Sequence, residues 1–187
     1  MTLPAIQPPL PPAATVIESP RRAPSTLEEF EAVLRRHDSA TLALEEWCAA
    51  RGIARPGTIL AETLPPSPAR SDVDLAATLA TTPGETIALR NVALRCGSRV
   101  LSVAWNWYVP SRLTPDMNAA LASTNIPFGK VVAPLGFTRQ PLASVSGRAE
   151  NCPAGTISTH RAMLVLPDGK PLAYLVECYT AANLALE

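Results

Sequence analysis

Two hairpin signatures in the second half constrain this chain more than any other feature. Thr86–Arg95 and Arg99–Val109 are strand candidates joined through Cys96-Gly97-Ser98. His160–Leu166 and Leu172–Thr180 are joined through Pro167-Asp168-Gly169. Each linker holds residues that favour tight turns, and the returning strand at 99–109 is rich in Val, Trp and Tyr. A tight turn can only connect antiparallel strands, so any core built from these segments is an antiparallel sheet. Gly136–Ser146 adds a further strand candidate, and Thr58–Thr63 a short one.

Helical signals gather in the first half. Ser25-Thr26-Leu27-Glu28 fits a capping box that opens a helix through Phe30, Val33 and Leu34. A second helix begins near Asp38 or Ser39, carries Leu44, Trp47 and Cys48 on one face, and stops at Gly52. Asp74–Ala80 reads as a short helix. Thr114-Pro115 places an N-cap and a first-turn proline ahead of Met117, Ala120 and Leu121. Pro127-Phe128-Gly129 opens a loop or short helix. Helices first and hairpins later predict an α+β fold, an antiparallel sheet with helices packed on one face.

The length of 187 residues fits one domain. Seven of the 20 prolines fall in residues 1–24, which are expected to form a disordered tail ahead of a single domain at 25–187. Lys+Arg and Asp+Glu both total 16, so the net charge is zero and a nucleic-acid partner is not expected. No apolar run approaches the ~18 residues of a membrane span, and no secretory leader is recognisable. The four cysteines form no CxxC and no zinc-spaced cluster, so no metal is expected. They read as free thiols in a cytoplasmic protein, although an even count is also compatible with disulfides in the periplasm. A monomer is favoured.

Two charges sit where strand alternation puts apolar residues. Arg90 shares a face with Ala88, Val92 and Leu94, and Glu177 shares one with Ala173, Leu175 and Tyr179. A buried charge needs a partner. Either the two pair with each other or lie at a solvated edge, or they face a pocket for a small anion, where an Arg fork grips a carboxylate. His37 lies in a charged helix-end run and reads as solvated; His160, beside Arg161, faces a ligand or water. Trp47, Trp105 and Trp107 read as core. No Ser/His/Asp pattern and no Gly-rich phosphate loop stands out.

Residues 84–180 resemble the chorismate–pyruvate lyase family. The matching patterns are Ile87-Ala88-Leu89-Arg90-Asn91-Val92, the strand from Ala104 to Pro110, and Pro127-Phe128-Gly129-Lys130. They continue with His160-Arg161-Ala162, Asp168-Gly169-Lys170-Pro171-Leu172 and Glu177-Cys178-Tyr179. The resemblance implies a chorismate lyase-like fold with loops closing over a buried ligand. It implies conversion of chorismate, a cyclohexadiene carboxylate, to 4-hydroxybenzoate and pyruvate, as in ubiquinone biosynthesis, without metal or cofactor. Arg90 would hold the ring carboxylate, Phe128 would offer its backbone N–H to the same group, and Glu177 would meet the ring hydroxyl. Arg161 and Lys130 are candidates for the second carboxylate.

The chain departs from that pattern in identifiable places. Trp105 stands where the family carries Gly, bringing an indole near the pocket, and Asn106 stands where it carries Arg. Residues 146–158 and 25–52 match poorly. The same fold occurs in effector-binding domains of bacterial transcription regulators, which the phrase Pro83-Gly84-Glu85 to Arg90 also resembles. The alternative function is therefore a non-catalytic domain that binds a small aromatic acid; a different reaction on a related acid is a third reading.

Overall fold

The computed structural model describes residues 26–65 and 71–185; the tail expected at 1–24 lies outside them. Among the described residues six strands form one sheet: β1 (Ile59–Thr63), β2 (Ala88–Cys96), β3 (Arg99–Tyr108), β4 (Thr138–Ser146), β5 (Thr156–Val165) and β6 (Pro171–Thr180). Their order is β1-β2-β3-β6-β5-β4, and every neighbouring pair is antiparallel. The two hairpins expected from the sequence are β2–β3 and β5–β6. The β3–β6 pairing joins them at the centre of the sheet, with Ala104 opposite Glu177 and Asn106 opposite Leu175. Gly97 makes the β2–β3 turn with φ +57°, and a Cβ there would meet Ala54 Cβ at 2.9 Å, so a larger residue is excluded twice over.

The helices are α1 (Leu27–Leu34), α2 (Ala40–Arg51), α3 (Leu75–Thr78), α4 (Pro115–Ser123) and α5 (Phe128–Val132). The capping box of α1 lies one residue later than the expected Ser25–Glu28 frame. Thr26 Oγ1 accepts from the Glu29 N–H at 3.1 Å, and Glu29 Oε2 accepts from the Thr26 N–H at 2.9 Å. At α4, Thr114 Oγ1 accepts from the Met117 N–H at 3.2 Å, with Pro115 at the first helical position.

Opposite residues in antiparallel strands share a face, so the register sorts the sheet into two sides. On one side α1 and α2 pack Phe30, Leu44 and Trp47 against Val92, Ala104 and Tyr179. Phe30 and Leu44 are fully buried, which contributes roughly 1.5–3 kcal/mol apiece. Phe30 meets the rings of Trp47 and Tyr179 edge-on at 5.2 and 5.3 Å. Further along the same side α4 and α5 pack Leu121, Phe128 and Val132 on Leu164 and Leu175. The outer side is covered by Leu79, just beyond α3, and by Cys152, over Trp105, Trp107, Tyr174 and Val176.

This sorting corrects one expectation. Trp105 pairs with Val176 on the outer side, while its neighbours Ala104 and Asn106 face the helices. Its indole fills the outer core and does not narrow a pocket beside Glu177.

The cysteines correct a second. Cys48 bonds Cys96, tying α2 to the end of β2, and Cys152 bonds Cys178, tying the β4–β5 connection to β6. Among the described residues no cysteine is free. Separations of 48 and 26 residues carry no sequence motif; only packing of α2 on the sheet brings the first pair together. Loops of this size give about 3–4 kcal/mol per bond by the chain-entropy estimate.

Candidate functional site

The helix-facing side of β3, β5 and β6 carries several polar side chains amid apolar ones. Glu177 is buried, and Arg139 of β4 reaches it with a two-pronged contact. Nη1 donates to Oε1 at 3.2 Å and Nη2 to Oε2 at 2.5 Å. Tyr179, fully buried, donates its hydroxyl to Glu177 Oε2 at 2.9 Å. Burial works against the charge on Arg139, but the Glu177 carboxylate outweighs it and raises the guanidinium pKa. Burial raises the Tyr179 phenol, with Glu177 adding to the effect. Each Glu177 oxygen therefore accepts from a neighbour, whereas three of the five guanidinium N–H groups remain available. His160 lies opposite Glu177 in the β5–β6 register, its ring edge-on to Tyr179 at 5.1 Å. Burial lowers its pKa, which favours the neutral ring, and its Nε2 makes no hydrogen bond, with Glu31 Oε1 4.0 Å away.

Beside Arg139 and Glu177 a pocket opens between the sheet, α5 and the start of α2. Besides Glu177, three of its lining side chains are uncharged, polar and at least nine-tenths buried: Thr41 at 4% exposure, Asn106 at 5% and Ser39 at 8%. None has a hydrogen-bond partner among the described residues. Their polar atoms are not sealed in the core but open onto the pocket, where water or a ligand can satisfy them. Ser39 is the N-cap residue of α2, yet its hydroxyl makes no cap hydrogen bond. The first-turn N–H groups of this twelve-residue helix are thus left open at the positive end of its dipole. The result is a cluster of donors: helix N–H groups, two hydroxyls, an amide and the free side of a guanidinium. Asp38, exposed at the rim, adds a carboxylate near Arg139.

The space here open to a water-sized sphere is about 30 Å³, room for roughly two waters and not for a ring. Two wider clefts adjoin it. One of about 280 Å³ shares Asp38 and Arg139 with the pocket; another of about 360 Å³ shares Ser39, Gly129 and Phe137.

The residues singled out from the sequence divide between this pocket and other places. Glu177 and Phe128 line it. Arg90 is on the same face of the sheet but spends its fork on backbone carbonyls. Nη1 donates to Ile126 O at 3.0 Å and Nη2 to Thr124 O at 3.1 Å, at the C-terminal end of α4. Its Nε has no partner, and burial lowers its pKa. Arg90 and Glu177 are not paired with each other. Lys130 donates to Glu45 Oε1 at 2.6 Å, outside the pocket. Arg161 pairs with Val176 on the outer side and donates to Asp72 Oδ2 at 2.6 Å. Asp72 also accepts from Tyr174, whose phenol is pushed up to about 12 by burial and by that carboxylate. His37, expected to be solvated, meets Glu46 Oε2 at 2.6 Å. Among the described residues no group of His, Cys, Asp and Glu could hold a metal ion, and no helix is long and apolar enough to cross a membrane.

Sequence reading missed Arg139, although a signal existed. It is the only charge in Gly136–Ser146, the same anomaly that marked Arg90 and Glu177. Ser39 and Thr41 gave no such signal, since a serine ahead of a helix ordinarily caps it.

No protein-family model matches the chain. In structure it is similar to the effector domain of PhnF from Mycobacterium smegmatis. The TM-score is 0.54 at 13% identity, covering 80% of this chain and 93% of that domain. Against the whole of PhnF the TM-score is again 0.54, with 67% of that protein covered. The possible transcriptional regulator YydK from Bacillus subtilis gives a TM-score of 0.46 at 14% identity, and the chain spans only 61% of it. Identities this low speak to the fold alone: the chain has the α+β, chorismate lyase-like architecture of such effector domains. In sequence it is 37% identical over 175 residues to the uncharacterized protein y4mC of Sinorhizobium fredii, covering 83% of this chain and 74% of that one. On that identity and coverage, the chain belongs to the same protein family as y4mC.

Proposed function

We propose that this protein is a non-catalytic binding domain for a small organic acid, whose oxyanion docks at the open N-terminus of α2. The observation that carries this reading is the trio Ser39, Thr41 and Asn106, which line the pocket with polar atoms that open onto it and make no hydrogen bond to the rest of the described residues. Helix N-termini favour anions through exposed N–H groups and the dipole, and the free side of Arg139 adds a formal charge. The ring or chain of the ligand would lie in one of the two wider clefts. A small aromatic or cyclohexadiene carboxylate is the class we favour. The fold, shared with effector domains, supports the same role.

The lyase reading has less support. Chorismate is a dianion, and the cations expected to hold it have other partners: Arg90 the Thr124 and Ile126 carbonyls, Lys130 Glu45 and Arg161 Asp72. Glu177 could act as a base only after Arg139 and Tyr179 withdrew from it. In our reading Glu177 orients Arg139, and Arg90 holds the loop that leads to Phe128. The two disulfides favour the periplasm over the cytoplasm, where thiols are kept reduced.

The test is to titrate 4-hydroxybenzoate, then chorismate, into the protein, following backbone amide resonances and pyruvate release in parallel. Perturbation at Ala40 and Thr41 without pyruvate is expected. Steady pyruvate release that disappears in Glu177→Gln would establish the lyase instead.

A further inference from the structure

We propose that Gly129 is a positioning residue that keeps the Ser39 hydroxyl off its own helix and thereby holds the α2 site open. This rests on the oxyanion site proposed above and adds the device that maintains it. A serine at an N-cap ordinarily turns its oxygen onto the second or third N–H of the helix, gaining about 1 kcal/mol. Ser39 has the extended backbone of an N-cap, φ −121° and ψ 120°, yet makes no such bond. Its Oγ lies against Gly129 instead: a Cβ built on Gly129 would fall 2.8 Å from Ser39 Oγ and 3.8 Å from Thr41 Oγ1. That separation is closer than a carbon and a hydroxyl oxygen tolerate, so the Ser39 oxygen occupies the place a side chain at 129 would need.

Gly129 sits inside α5 with no positive φ, so the backbone does not call for glycine. On helix propensity alone alanine would be favoured there by up to about 1 kcal/mol. Glycine is explained by the hydroxyl it admits. With alanine at 129 the cheapest relief is rotation of Ser39 about χ1, which moves Oγ away from the pocket and towards the α2 N–H groups. The helix would then cap itself, and the site would lose both a hydroxyl donor and its open N–H groups. Self-capping and ligand binding thus compete for the same N–H groups, and Gly129 decides the competition.

The experiment compares the wild type, Gly129→Ala, Ser39→Ala and the double variant. Three readouts are used: affinity for 4-hydroxybenzoate, melting temperature and amide exchange at Leu42, the third residue of α2. Gly129→Ala is expected to weaken binding at least tenfold, with an unchanged or higher melting temperature and slower exchange at Leu42. In the Ser39→Ala background the same substitution should change neither exchange nor affinity by more than about twofold. An equal loss of affinity in both backgrounds would mean that the methyl merely blocks the pocket, and would overturn the role assigned to Ser39. Unchanged Leu42 exchange in Gly129→Ala would overturn the self-capping step without reference to any ligand. If the wild type fails to bind 4-hydroxybenzoate while Leu42 exchange still slows in Gly129→Ala, the hydroxyl switch stands and the oxyanion reading fails.

Discussion

The two faces of the sheet are built from alternate residues of the same strands, yet they are finished differently. On the outer face Trp105, Trp107, Tyr174 and Val176 close into a core pinned by the Cys152–Cys178 bond. On the helix face the same stretches of β3 and β6 offer Asn106 and Glu177, and α2 brings Ser39 and Thr41 against them. The outer face is mostly apolar, although Asn91 Oδ1 and Trp105 Nε1 are buried there without hydrogen-bond partners. The helix face instead gathers polar side chains around an opening, the arrangement on which the proposed site rests.

The comparison can be broken most severely through the outer face. Trp105→Gly should lower unfolding free energy by about 3–5 kcal/mol, the scale of removing a large aromatic from a core, and leave affinity for 4-hydroxybenzoate within twofold in the folded fraction. Urea unfolding and titration together check this; improved binding would put the indole in the pocket after all. Next in size is the buried ion pair. Glu177→Gln leaves the Arg139 charge without its counter-ion and should cost about 3 kcal/mol. Arg139→Met with Glu177→Leu should cost less than that single change. A double variant no more stable than Glu177→Gln would count against a charge-driven penalty.

Much of this arrangement was legible in the sequence. The hairpin turns at 96–98 and 167–169 gave the antiparallel sheet, and strand alternation correctly placed Arg90 and Glu177 on an apolar-lined face. What alternation could not supply was the partner. Glu177 meets Arg139 only because β4 lies beyond β5, and Arg90 meets Thr124 and Ile126 only because the end of α4 folds over β2. The disulfides were hidden for a similar reason, since Cys48 and Cys96 become neighbours only after α2 docks. The expected two-ended grip by Arg90 and Glu177 depended on both sharing one pocket, and the Arg90 fork is turned to the Thr124 and Ile126 carbonyls just past α4 instead.

Smaller effects sharpen the contrast. Asn106→Leu replaces an amide that makes no protein hydrogen bond and should leave stability within about 1 kcal/mol, while weakening 4-hydroxybenzoate binding about tenfold, the worth of one good hydrogen bond. A larger loss of stability would mean Asn106 serves the fold. The smallest effect concerns pH. Burial holds the His160 pKa below the ordinary 6.5, so between its folded value and about 6.5 the unfolded chain binds more protons. His160 thus makes stability rise with pH across that window and fall as pH drops below 6.5. In His160→Gln the slope there should flatten, as chemical denaturation at several pH values would reveal.

The most direct measurement is a crystal structure of the protein with 4-hydroxybenzoate bound. The account predicts a carboxylate oxygen within hydrogen-bond distance of the α2 first-turn N–H groups, with the Ser39 and Thr41 hydroxyls turned towards it and Arg139 still on Glu177. A ligand whose carboxylate sits instead on Arg90, with α2 capped by Ser39, would contradict it.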